Sequence, residues 1–159
     1  MATGDNRPIT APELNGEGLR VGIVRAEWNT KIVDRLVQGA QRGLHALGAA
    51  VVGPVSVPGC FELPLACRVM AQSGNVDAIV ATGVVIRGET THYEIVSEGA
   101  ASGIQAVQLE MGIPIAFGVL TVESIEQALE RSQGQGQHNL GEEAASVAVT
   151  MARLIEQYD

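Results

Sequence analysis

The stretch Asp77-Ala78-Ile79-Val80-Ala81-Thr82-Gly83-Val84-Val85 decides the fold. It is apolar almost throughout and lacks the alternation of a strand with one wet face. Such a strand belongs inside a sheet covered on both sides, the habit of parallel sheets flanked by helices. Upstream, Arg20 to Arg25 reads as a strand, and Asn29 stands where a helix cap is expected. Ile32, Val33, Leu36, Val37, Ala40, Leu44 and Leu47 follow at one-face helical spacing, and Gly48 stops that helix. Ala50 to Val57 is a second strand, in which Gly53 and Pro54 predict an edge position or a bulge. A helix from near Phe61 to Gln72 has Pro64 in its first turn. Downstream, Thr91-x-x-Glu94 is a capping-box pattern opening a helix to about Met111. Ile113 to Leu120 reads as the fourth strand. Ser124-x-x-Gln127 opens a short helix to Arg131, and Asn139-x-x-Glu142 opens the last, after the Gly134-Gln135-Gly136 loop. Regular alternation of strand and helix predicts an α/β fold: a three-layer, doubly wound, flavodoxin-like sandwich on a four-stranded parallel sheet. Residues 1–18, with Pro8, Pro12, Gly16 and Gly18, read as an extended N-terminal arm, and residues 19–159 as one domain.

Composition narrows the function. Only 18% of the 159 residues are charged, low for a soluble domain, which suggests that much of the surface is covered in an oligomer. The net charge of −8 disfavours a nucleic-acid partner. No apolar run approaches the ~20 residues of a membrane span, and the N-terminus lacks the apolar core of a secretory signal. Cys60 and Cys67 read as lying on one helix, badly placed to bridge, and no His/Cys cluster has zinc spacing. A reducing cytoplasm is the expected compartment.

In a doubly wound sheet, ligands bind beyond the carboxyl ends of the strands. The four loops there carry Glu27-Trp28-Asn29, Pro58-Gly59-Cys60-Phe61-Glu62, Ile86-Arg87-Gly88-Glu89-Thr90-Thr91-His92 and Thr121-Val122-Glu123. Of the five aromatics, Trp28, Phe61 and Tyr93 fall on or beside the first three loops, while Phe117 and Tyr158 do not. Two readings fit: a flat platform for a planar ligand, or plugs for the ends of the core. The third loop also has two readings. Thr90 and Thr91 at a helix N-terminus make an anion seat, or Thr91 is a plain cap. His92 beside them is placed to move protons at neutral pH, or is simply exposed. His45 on the first helix and His138 in a polar loop give weaker signals, and Arg131 at a helix end reads first as a dipole partner. The glycines match no dinucleotide fingerprint, and there is no Walker motif or nucleophile elbow.

The run Gly83-Val84-Val85-Ile86-Arg87-Gly88-Glu89-Thr90-Thr91-His92-Tyr93 resembles the signature loop of the 6,7-dimethyl-8-ribityllumazine synthase family. Val57-Pro58-Gly59-Cys60-Phe61-Glu62-Leu63-Pro64 resembles its second signature. Glu27-Trp28-Asn29, Gly118-Val119-Leu120-Thr121 and Glu126-Gln127-Ala128-Leu129-Glu130-Arg131 agree in order and spacing, so the resemblance spans roughly Leu14 to Ile155. It implies condensation of 5-amino-6-(D-ribitylamino)uracil with 3,4-dihydroxy-2-butanone 4-phosphate, losing water and phosphate, with no metal or organic cofactor. It implies that Trp28, with Asn29 beside it, stacks on the pyrimidine, and that Cys60, Phe61 and Glu62 line the pyrimidine and ribityl pocket. Val84, Val85 and Ile86 would offer backbone groups to the ring. Glu89, Thr90 and Thr91 would hold the phosphate substrate and His92 would carry protons. Phe117 and the phosphate-binding Arg131 would come from an adjacent subunit. Two departures stand out. Leu140 replaces the lysine that many members carry before the glycine matching Gly141, with His138 a substitute cation, and Cys60 replaces a small Ala or Ser. A slightly longer Gly134–Gln137 loop points to a pentamer rather than an icosahedral shell of pentamers. The alternatives are a catalytically weak paralogue that binds flavin or lumazine, for which Leu140 is the support, and a scaffold, which would not need Thr90, Thr91, His92 and Arg131.

Overall fold

The structure, a computed structural model, describes residues 13–159. Four strands, β1 (Arg20–Ala26), β2 (Ala50–Val57), β3 (Ala78–Ile86) and β4 (Ile115–Val122), pair in parallel in the order β2-β1-β3-β4. Five α-helices complete the order: α1 (Thr30–Ala46), α2 (Leu63–Gln72), α3 (His92–Met111), α4 (Ile125–Glu130) and α5 (Leu140–Gln157). The three-layer doubly wound sandwich expected from the alternation is the observed architecture. β3 is buried on both faces up to Ile86. One core layer joins α1 and α5 to the sheet through Leu36, Leu44, Val80 and Val149. The other joins α2 and α3 through Leu63, Cys67, Ile79 and Ile104. β2 is the exposed edge expected from Pro54, and the β1–β2 register slips between Gly22 and Val24.

Several local expectations change. β4 begins at Ile115, not Ile113, because Gly112 closes α3 in a left-handed conformation (φ 64°) and Pro114 has no N–H to give a ladder. The helix expected from Phe61 is divided: Cys60–Glu62 form a 3₁₀ turn and α2 starts at Leu63, so the two cysteines lie on separate elements. Asn29 occupies the N-cap of α1 in a left-handed conformation (φ 63°), without a side-chain cap. Its amide instead donates to the Val84 carbonyl at 3.3 Å. Thr91 is the N-cap of α3 but makes no capping bond, and the capping box does not form. The His92 N–H donates to Thr90 Oγ1 at 3.3 Å, while Glu94 pairs with Arg87. Ser124 and Asn139 do cap, accepting from the N–H groups of Gln127 and Glu142.

Of the expected arm, residues 1–12 lie outside the described residues. Residues 13–18 are held down: the Gly16 N–H donates to the Leu47 carbonyl at 2.7 Å, and Arg153 donates to the carbonyls of Asn15 and Glu17. Within α3, Gly99 and Gly103 occupy interior positions, where glycine costs ~0.5–1 kcal/mol relative to alanine. Among the described residues no helix is long and apolar enough to cross a membrane.

Asn139 is 2% exposed and bonded on every side. Its amide donates to the carbonyls of Arg35 (3.1 Å) and Gln133 (2.9 Å), and its oxygen accepts from Glu142. Asn139→Ala should therefore lose a cap and the two further hydrogen bonds of a buried amide, at a cost of ~2–3 kcal/mol. Urea unfolding of the variant measures this, and a change within ~0.5 kcal/mol would contradict the role given to this side chain.

Candidate active site

The strand order places the topological switch between β1 and β3. α1 leaves β1 toward one face and α3 leaves β3 toward the other, opening a crevice at the carboxyl edge. A cavity of about 540 Å³ fills it. Trp28 and Asn29 come from the β1–α1 connection, and Pro58, Gly59, Cys60, Phe61 and Glu62 from the segment after β2. Val84, Val85 and Ile86 come from the end of β3, and His92, Ile95 and Val96 from the first turns of α3.

Trp28 is 70% exposed and Phe61 57% exposed, so neither plugs the core. Both line the cavity as open aromatic surface, the arrangement that receives a planar ligand. Tyr93 is not part of that platform. Its ring packs against the α2–α3 core and carries the Arg87 guanidinium 4.3 Å from its centroid.

Arg87 fixes the loop that follows β3. Its N–H donates to the Val122 carbonyl at 2.9 Å. Its guanidinium bonds Glu123 at 3.1 Å and also Glu94. The Glu94 N–H and the Arg87 guanidinium hold the Glu94 carboxyl below the usual range. Glu89, Thr90 and Thr91 are exposed on this loop at the rim, beside but not lining the cavity, and His92 opens the helix behind them. The first N–H groups of α3 thus stand at the rim with two hydroxyls nearby, a favourable setting for an anion.

Cys60 and Cys67 are free and buried. Burial pushes the Cys60 thiol up to about 11. A hydrogen bond with the Val84 backbone pulls the other way, and the Glu62 carboxylate adds a small further rise. Burial alone pushes Cys67 up to about 12. Both sulfurs are protonated at neutral pH and are not nucleophiles. The Val84 carbonyl is occupied by Asn29, so of the expected backbone donors and acceptors to a ligand this one is already engaged. Among the described residues no cluster of three His, Cys, Asp or Glu is placed to hold a metal ion.

Phe117 and Arg131 lie elsewhere. Phe117 is on β4 and 37% exposed. Arg131 lines a separate hollow of about 110 Å³ with Thr121, Val122, His138 and Leu140. There its guanidinium donates to the Gln127 carbonyl at 2.9 Å, the helix-end role expected of it. His138 Nε2 is 3.3 Å from the Glu143 carboxylate, and Leu140 packs against the α1–α5 core. His45 is exposed on α1. Ile95 and Val96 line the cavity and were not singled out in the sequence. Their positions three and four residues after His92 were the available signal, since such residues share a helix face.

Residues 18–156 match the family model described as 6,7-dimethyl-8-ribityllumazine synthase. The 6,7-dimethyl-8-ribityllumazine synthase of Streptomyces avermitilis is 47% identical over 149 residues, 91% of this chain and 92% of that protein. That of an Azoarcus species is 43% identical over 158 residues, 98% of each. A GDP-L-fucose synthetase chain from Naegleria fowleri shares 12% identity at a TM-score of 0.40, over 97% of this chain and 46% of that one, too distant to bear on the site. The fold and these relatives define an enzyme, a transferase of riboflavin biosynthesis. The chain belongs to the 6,7-dimethyl-8-ribityllumazine synthase family. Its reaction is the condensation of an aminoribityl uracil with a butanone phosphate.

The raised thiol pKa values have a measurable sign. Above pH 9 the unfolded thiols ionise while the folded ones keep their protons, so stability should fall as pH rises from 9 toward 11. Alkylation at pH 8 should proceed at least ~10-fold faster in urea-unfolded protein than in native protein. Equal rates would show that the sulfurs are accessible in the folded state.

Proposed function

We propose that the crevice between β1 and β3 holds the pyrimidine and the rim of α3 holds the phosphate substrate. The open aromatic surfaces of Trp28 and Phe61 in the same cavity as His92 are the observation that carries this reading. Trp28 stacks on the uracil ring, with Asn29 beside it. Cys60, Phe61 and Glu62 line the ring and its ribityl chain, and the Val84–Ile86 backbone borders the ring. Glu89, Thr90 and Thr91 seat the butanone phosphate beside the N-terminus of α3.

The chemistry then needs proton traffic more than a nucleophile. The 5-amino group attacks the ketone and water leaves to give an imine. Phosphate is eliminated, and the ribitylamino nitrogen closes the ring with loss of a second water. His92 takes and returns protons at these steps, and Arg131 of a neighbouring copy compensates the phosphate charge. Holding two substrates side by side removes a large entropic barrier, so His92 assists rather than governs. His92→Ala should slow turnover ~10²-fold with little change in substrate affinity. Lumazine fluorescence after mixing the two substrates, against a protein-free control, measures it. An unchanged rate in the variant would remove His92 from the mechanism, and a wild-type rate equal to the control would remove the synthase reading itself.

The same proposal includes a cytoplasmic pentamer with sites shared between neighbours. Its support is the low charge fraction and the exposed apolar faces of α2 (Leu65, Val69) and α4 (Ile125, Leu129). The separation of Phe117 and Arg131 from the His92 cavity within one chain adds to it. In a mixed ring of His92→Ala and Arg131→Ala subunits, about a quarter of the sites would have both groups intact. Activity should rise to about that fraction of wild type on co-assembly. No recovery in particles shown by light scattering to be pentamers would refute site sharing, and a megadalton particle would refute the pentamer.

A further inference from the structure

Gly99 lies on the face of α3 that the cavity uses. It is seven residues after His92 and four after Ile95, so the three follow one stripe of the helix. No side chain projects from it, and the Phe61 ring occupies the space. A methyl group on Gly99 would stand 2.7 Å from Phe61 Cε1 and 3.1 Å from Cδ1. One turn further, a methyl on Gly103 would stand 2.6 Å from Pro64 Cγ. Beneath Cys60, a methyl on Gly83 would stand 2.5 Å from Sγ. The 3₁₀ turn and the start of α2 are thus seated on three bare backbone positions.

These seats differ in what can yield. Pro64 is locked into the first turn of α2, and Cys60 is buried. The Phe61 ring is the free end of a side chain and 57% exposed. A methyl at residue 99 would therefore move the ring and leave the helix in place. The ring must retreat by about 1 Å to restore ordinary contact. Glycine is the poorer helix former, so a helix-interior glycine at this point serves the ring rather than the helix.

We propose that Gly99 is a positioning residue for the aromatic wall of the pyrimidine subsite. Its bare Cα lets the Phe61 ring lie against α3, and the placement of that ring sets the fit of the planar substrate. The inference rests on the assignment of Phe61 to that subsite.

Gly99→Ala, Phe61→Ala and the double variant test it by steady-state kinetics with both substrates. Trp28, the sole tryptophan, reports uracil binding directly through its fluorescence. In Gly99→Ala the KM and Kd for 5-amino-6-(D-ribitylamino)uracil should rise about three- to tenfold, the scale of an aromatic contact. The KM for the butanone phosphate and kcat should change less than about twofold, the pattern of lost ground-state binding. In the Phe61→Ala background, Gly99→Ala should add less than about twofold, because the two act through one ring. An unchanged uracil KM in Gly99→Ala, or an equal rise in the Phe61→Ala background, overturns the proposal. So does a Tm lower by more than about 10 °C, which would mean that the helix gave way instead of the ring. If Phe61→Ala itself leaves the uracil KM unchanged, the subsite assignment fails. If it raises KM while Gly99→Ala does not, the subsite stands and the role of Gly99 fails.

Discussion

The amide of Asn139 is the contact on which one half of the molecule depends. It sits between α1 and α5 at a point where the two helices approach too closely for a side chain on α1. A methyl on Gly39 would overlap it, at 2.1 Å from its oxygen. There it starts α5, adds a hydrogen bond to the Arg35 carbonyl within α1 and holds the loop after α4 through Gln133. α1 is thereby fixed against α5 and the sheet, and with it the turn at its beginning that presents Trp28 and Asn29 to the crevice. A single buried polar group, fully paired, sets a geometry that apolar packing alone leaves free to slide.

On the opposite face the site is held by a different device. The loop after β3 has few apolar residues to anchor it, and charge does the work. Arg87 ties the loop to the start of α3 through Glu94 and to the end of β4 through Glu123, and lies on Tyr93. These are exposed ion pairs, individually weak in water. Their value here is convergence, because one guanidinium fixes three elements around the residues that precede His92. The rim of the cavity is therefore tied down at its base and open at its tip, where Glu89, Thr90 and Thr91 face solvent.

Much of this was legible in the chain. The apolar run ending at Val85 announced a strand buried on both faces, and Pro54 announced the sheet edge. Ser124 and Asn139 behaved as caps because their side-chain oxygens face the N–H groups of Gln127 and Glu142, the other contacts of Asn139 being made by its NH2. Asn29 and Thr91 failed the same pattern for reasons outside any local window. Asn29 found the Val84 carbonyl, far along the sequence, and Glu94 found Arg87 instead of turning back to Thr91. The scarcity of aromatics singled out Trp28 and Phe61, but also drew in Tyr93, which the fold turned toward the core. Periodicity from His92 would have reached Ile95 and Val96. No pattern within the chain points from Arg131 to His92. That pairing was drawn from family resemblance alone, because the two residues line different hollows of one subunit.

The strand order also has a temporal side. β1 is made first yet lies inside the sheet, paired with β2 on one edge and with β3 on the other, Val21 meeting Ala78. As the chain leaves the ribosome, β1, α1 and β2 are complete while one side of β1 still lacks its neighbour. The nascent half must keep an apolar strand unsatisfied until β3 emerges, and long-range parallel pairing of this kind is slow to form. The central strand is thus a point of exposure to misassociation during synthesis.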